Sequence, residues 1–267
     1  LRALFENADF RQALSISIDR DTINELAFSG LGEGRSTSPV SGSPYFDEDL
    51  EAHWTQYDPD AANALLDAAG LTERDGDGYR LRSDGKRLQL VVETDQDAYA
   101  NVLELLADNY KDVGIDLLAR VIDRTQWDDN RENNNFQAQL IPFDRLTVVP
   151  ADPRRILGEN NFAAQYYIWY ETNGESGIEP PADHPIRKVW AEWGKASTAK
   201  TIEEADAATN AMIAEFVKNG WVIGIVGEVA TPVIVKNDFQ NMPAGLVEDN
   251  ITRGVGLARP QQMWIKQ

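Results

Sequence analysis

The stretch FRQALSISIDRDTINELAFSG, residues 10–30, decides how the rest of the chain is read. Phe10, Ala13, Leu14, Ser17 and Ile18 recur at the i, i+3, i+4, i+7, i+8 spacing of one helix face. Asp9 precedes them as an N-cap, a carboxylate able to accept from the free N–H groups of a first turn. The pattern then restarts, with Asp19 or Asp21 as the next cap and Ile23, Leu26 and Ala27 as a second apolar stripe. Gly30 suits the left-handed residue that closes such a helix. Two abutting amphipathic helices bury one face each, and a sheet is the expected partner.

Downstream, residues 31–57 are rich in Gly, Ser and Pro and read as an irregular excursion. GLGEG at 30–34 lacks the preceding strand and the Lys of a phosphate loop. YDPDAANALLDAAG, residues 57–70, is a marked helix: Asp58 caps it, Pro59 fits its first position, Gly70 follows its end, and Leu65, Leu66 and Ala69 form its apolar side. Residues 75–93 read as a β-hairpin turning at Asp84-Gly85, with Leu88, Leu90 and Val92 on one face of its second strand. The DGDG at 75–78 is no EF-hand loop, because Tyr79 and Arg80 occupy its fifth and sixth positions.

A helix then places Val102, Leu105, Leu106 and Val113 inward and closes at Gly114, and a strand follows with Ile115, Leu117, Ala119 and Val121 on one side. Strand–helix–strand at this length is a βαβ unit with parallel strands. Thr125 caps a further helix, and residues 136–141 form another short strand. The fold class is therefore mixed α/β, a partly parallel sheet covered by helices.

PFDRLTVVPADP, residues 142–153, is an irregular segment at a strand end, where open α/β sheets place ligands. In the aromatic run at 160–181, Tyr166, Tyr167, Trp169 and Tyr170 either line a cleft or, at Tyr167 and Tyr170, form a buried helix face. His184-Pro185 opens a helix striped by Ile186, Val189, Trp190 and Trp193. Thr201 and Glu204 make a capping box before a long helix carrying Ile202, Ala205, Thr209, Met212, Ile213 and Phe216, ended by Gly220. WVIGIVGEVATPVIVKNDFQNMP, residues 221–243, reads as two strands around Gly227 and Pro232.

Composition narrows the function classes. The 267 residues carry a net charge of −19 and no cysteine. Nucleic acid and anionic lipid surfaces are not the expected partners, since both call for clustered Lys and Arg. Disulfides, thiol catalysis and Cys-ligated zinc are excluded too. Only His53 and His184 could serve as an imidazole base, and neither sits in a nucleophile elbow or an H-E-x-x-H helix. Carboxylate pairs of the glycosidase kind are cheap to find among 44 acidic residues. The reading is a binding module without metal or cofactor. A polysaccharide-acting hydrolase is the competing reading from another class.

RQALSISIDRDTI resembles the R-Q-A-L-x-x-A-I-D-R-x-x-I signature of family 5 extracellular solute-binding proteins. YDPDAANALLDAAG, the DGDG-to-DGK turn, WYETNGESGIEPP and WVIGIVGEVATPVIVKN are similar to further motifs of that family. The resemblance implies the periplasmic-binding-protein type II fold, in which two lobes close on a ligand. The signature belongs to the second lobe, so residues 1–267 are expected to be a single lobe whose first lobe is missing. The implied function is the solute-binding component of an ABC importer. Such a component captures an oligopeptide, or alternatively an oligosaccharide, and hands it to a membrane permease. A monomer is implied, extracytoplasmic, periplasmic or anchored at the cell surface as a lipoprotein. In the family the strand-end loop faces the ligand, which points to Phe143, Asp144 and Arg145, with Trp127 as a neighbour. The loop here lacks the Trp and glycines common in relatives.

Overall fold

A computed structural model describes residues 1–159, 162–247, 249 and 259–266. The opening stretch does fold into two abutting helices, Ala8–Ile16 and Arg20–Phe28. The first cap is two residues earlier than expected: Asn7 Oδ1 accepts from the Asp9 N–H at 2.8 Å, and Asp9 lies in the first turn. Asp19 caps the second helix through the Thr22 N–H at 3.0 Å. Ser29 and Gly30 both take left-handed backbone at its end, with φ of 58° and 67°. The helix Pro59–Ala68 carries the expected Asp58 cap and packs on Ala8–Ile16.

The sheet has three strands. Gln89–Thr94 is central and runs parallel to Asp116–Val121 on one side and Ala138–Gln139 on the other. The helix Ala100–Asp112 makes the crossover between the first two. The hairpin expected at 75–93 keeps its turn at Asp84-Gly85, where the Arg82 N–H donates to the Lys86 carbonyl at 2.8 Å, and its Leu81–Arg87 bridge, but the expected second strand joins the parallel ladder instead. Leu88, Leu90 and Val92 are buried, and a ladder on both edges supports that burial better than one two-stranded ribbon. Leu103, not Leu105, completes the buried face of the crossover helix. Beyond Leu117 the neighbouring strand emerges into solvent, so Ala119 and Val121 are exposed. Asp123, not Thr125, caps the next helix, Arg124–Glu132.

In the second half, Thr201 caps Ile202–Asn219 as expected, although Ile202 itself is exposed. That helix packs along Ile186–Thr198. The segment 221–243 departs most from expectation. Only Val226–Gly227 pairs with Glu33–Gly34, and only Phe239–Gln240 pairs with Trp264–Ile265. Among the described residues no helix is long and apolar enough to cross a membrane.

Two apolar cores result. Phe10, Ile18, Leu66, Leu103 and Ile115 centre the first, around the sheet. Ile156, Ile186, Val189, Met212 and Phe216 centre the second, around the two long helices. The segments near Arg35 and Val226 run between them.

Candidate functional site

Where the cores face each other they leave a crevice of about 2290 Å³. One wall is aliphatic, from Leu14, Ile18, Leu90 and Leu106. The other is aromatic, from Phe143, Phe162, Tyr166 and Trp221. Between them run the backbone segments at 35–38 and 219–230.

The aromatic wall is a packed series of rings. Phe143 stacks on buried Phe216 at 5.9 Å between centroids, and Phe162 lies 5.5 Å from the same ring. Phe162 and His184 each lie near-parallel to Trp221, at 5.0 and 5.9 Å between centroids. Tyr166 meets His184 edge-on at 5.2 Å. The His184 Nδ1 accepts from the Ile186 N–H at 3.2 Å, and burial holds its imidazole below its ordinary proton affinity. Of the other tyrosines and tryptophans in the run, Tyr170 and Trp169 stack on Trp190, and Tyr167 is buried.

The strand-end loop divides. Phe143 and Asp144 line the crevice. The Asp144 carboxylate lies 3.3 Å from the Arg155 guanidinium and 3.8 Å from that of Arg145. Arg145 is in left-handed backbone, with φ of 70°, and is not on the crevice lining. Its guanidinium instead lies 3.2 Å from Asp152 and 3.5 Å from Glu159. Trp127 is also away from the crevice. It is 4% exposed, with the Arg124 and Arg131 guanidiniums over its ring at 4.8 and 4.9 Å.

Asp152 anchors this loop. Arg154 donates to it at 2.7 and 2.8 Å, and together with Arg145 holds its carboxyl below the usual 3.8. A depressed carboxylate stabilises the fold above its unfolded-state value and loses that contribution as pH falls through its folded value. Asp152→Asn is therefore expected to lower stability at neutral pH. Its deficit against the wild type should shrink as pH falls below the ordinary 3.8 and vanish only below the depressed folded value. Urea unfolding across that range checks it, and a pH-independent deficit would refute it.

The loop near Arg35 is held by a second network. The Arg35 guanidinium is buried, pairs with Glu228 and with Glu51 at 3.0 Å, and donates to the Pro39 carbonyl at 2.7 Å. Gly227 makes room for it: a Cβ there would fall 2.5 Å from the Arg35 Cδ. Breaking a buried pair by removing one partner strands the other charge. Arg35→Met should therefore loosen the 35–43 segment, seen as faster amide exchange there, whereas unchanged exchange would show the pair to be idle.

Sequence reasoning missed Arg11 and Trp221 as crevice residues, and read His184 as a helix opener and a possible imidazole base. Arg11 reads as the polar position of an amphipathic helix. The signal for Trp221 was its place directly after the helix-ending Gly220, which turns the chain toward the crevice.

The profile described as "Bacterial extracellular solute-binding proteins, family 5 Middle" matches residues 2–161. This chain belongs to that family. A curated relative from Deinococcus radiodurans, named a probable ABC transporter-binding protein, is 31% identical over 151 residues, which are 52% of this chain and 24% of the relative. Among solved structures, an oligopeptide-binding protein OppA superposes over 100% of this chain and 44% of its own, with a TM-score of 0.85 and 31% identity. The periplasmic binding protein MelB of Agrobacterium fabrum, solved with stachyose, shares the fold at a TM-score of 0.64 and 20% identity, over 84% of this chain and 34% of its own. The fold is thus that of the type II periplasmic binding proteins, and this chain spans less than half the length of each of these proteins.

Proposed function

We propose that this chain is one lobe of a two-lobed solute-binding protein that captures an oligopeptide and delivers it to an ABC permease outside the cytoplasm. One observation carries the reading: a large crevice with apolar walls, on a chain of the solute-binding family. Capture needs a shaped cleft with a few polar anchors, and the crevice has both. The protein acts as a monomer and binds without turnover. Its relatives are described as binding proteins, and His184 is tied to a backbone N–H and to neighbouring rings. Oligosaccharide is the second reading, favoured by the ring-rich wall and by the stachyose-bound neighbour.

Phe143 packs against an apolar ligand group, and Asp144 accepts from a ligand ammonium; Arg145 holds the loop that presents them, and Trp127 braces the helix Arg124–Glu132 from behind. Phe143→Ala should weaken binding about tenfold through lost apolar contact. An unchanged affinity would remove Phe143 from the site. Native mass spectrometry of the full-length protein from its host identifies the co-purified ligand. A peptide supports the proposal, an oligosaccharide supports the second reading, and release of hydrolysed product during incubation with either contradicts capture without turnover.

A further inference from the structure

His184 is the imidazole on the crevice lining, and its ring is tied at three points. Nδ1 accepts from the Ile186 N–H at 3.2 Å, a free N–H at the start of the 13-residue helix Ile186–Thr198. The ring lies near-parallel to Trp221 at 5.9 Å between centroids, and Tyr166 meets it edge-on at 5.2 Å. The backbone is fixed on both sides. The His184 N–H donates to the Pro181 carbonyl at 3.0 Å, and the Arg187 N–H donates to the His184 carbonyl at 3.1 Å. The side chain is the part left free to turn. Among the described residues Trp221 has three ring neighbours: His184, Phe162 near-parallel at 5.0 Å, and Phe216 tilted at 6.4 Å. Of these three only His184 can gain a proton.

With Nδ1 accepting, the neutral ring carries its proton on Nε2. A second proton must go to Nδ1, where it faces the Ile186 N–H. Two donors then point at each other, at the positive end of a helix. Burial is the largest influence on the ring and holds its proton affinity below the ordinary 6.5. The charged groups around it do not reverse this. Glu6 and Asp183 favour the cation, while Arg11 and Arg187 oppose it. Glu6 is paired with Arg2 at 3.0 Å and Arg187 with Glu179 at 2.9 Å, and Asp183 is exposed, where water and salt screen it. A cation over an indole face is attracted to it, but that gain requires the ring to stay against the Ile186 N–H.

We propose that His184 is a positioning residue for Trp221: the neutral ring, latched to the Ile186 N–H, sets the indole in the crevice wall, and a proton on Nδ1 releases the latch, turns the ring out of the stack and frees the indole. The released ring is solvated and regains an ordinary proton affinity, so falling pH favours it over the latched ring. Acid thus loosens one wall of the crevice, and does so whichever solute the crevice takes.

NMR titration of the chain of 267 residues from pH 8 to pH 4.5 tests this, with His53 the only other histidine to assign. Four signals are followed: the His184 Cε1–H, the Ile186 amide, the Trp221 indole N–H and, as a reference inside the same helix, the Trp190 amide. The imidazole should titrate below the ordinary 6.5. The Ile186 amide and the Trp221 indole should move with the same midpoint while the Trp190 amide stays still. His184→Asn offers a carboxamide oxygen to the same N–H, as in an Asx turn, and takes no proton. In that variant the Ile186 and Trp221 signals should be flat across the range. A histidine that only packs would leave the pH profile of the indole alike in both proteins, and that result overturns the proposal. Titration of His184 with the Ile186 and Trp221 signals unmoved means protonation in place and overturns it too. So does a Trp190 amide that moves with the rest, which is opening of the whole helix, or a His184 that takes no proton down to pH 4.5. Each of these results leaves solute capture standing.

Discussion

Replacing Arg20 by Ala should cost about 3–5 kcal/mol of stability, the loss expected when the centre of a buried polar cluster is removed. The Arg20 side chain is buried at the junction of the two opening helices. Nη1 donates to the Ser15 carbonyl at 2.9 Å and the Thr55 carbonyl at 3.2 Å. Nε and Nη2 converge on the Gly224 carbonyl at 3.1 and 2.9 Å, and Nη2 also reaches the Ser15 hydroxyl at 2.8 Å. One side chain thus ties the opening helices to the excursion after them and to the segment that lines the crevice. Burial pulls its pKa down to about 10, so it remains charged at neutral pH and its charge opposes folding. The bonds to carbonyls are what offset that cost. Truncation leaves those carbonyls without donors. Arg20→Lys should recover only part of the loss, since one ammonium cannot span the three segments. Urea unfolding followed by circular dichroism measures it, and a loss under about 1 kcal/mol would show that water replaces the guanidinium.

Phe216→Ala should cost about 3–5 kcal/mol through the cavity it leaves, and it should abolish ligand binding as well. Phe216 is 1% exposed and backs both Phe143 and Phe162. Without it, two crevice rings lose the surface they stack on and turn inward to fill the void. Phe216→Leu keeps most of the volume and should cost about 1 kcal/mol, with binding weakened but present. Thermal unfolding and titration on the same samples separate the two effects. If the Ala variant binds normally, the aromatic wall does not form part of the site.

The elements legible in the sequence are those whose signals are local. Asp58-Pro59 and Gly70 bracket a helix within a dozen residues, and Thr201 with Gly220 brackets another. The βαβ order likewise follows from neighbouring segments, which is why the parallel sheet could be expected. Long-range pairing could not be read. Nothing local tells Val226–Gly227 to seek Glu33–Gly34. The run at 231–235 is rich in β-branched residues, yet it forms no strand here and Ile234 is 94% exposed, because strand propensity takes effect only where a partner ladder exists. The crevice was half legible. The position of Phe143 and Asp144 followed from their place after a strand, but Arg145 and Trp127 are drawn into ion pairs and cation–π contacts that leave no trace in hydropathy. Arginine is the residue such reasoning handles worst. Arg11, Arg20, Arg35 and Arg80 are all buried; Arg11, Arg20 and Arg80 are held by carbonyls from distant segments, and Arg35 by the distant carboxylates of Glu51 and Glu228.

The central claim is that this chain holds half of a ligand site that two lobes complete. Isothermal calorimetry of one identified peptide, with this chain and with the full-length protein, tests it most directly. The chain should melt cooperatively and bind about a thousandfold more weakly than the full-length protein, corresponding to the loss of roughly 4 kcal/mol of contacts. An affinity within about tenfold of the full-length value would contradict the account and show that this chain carries the site by itself.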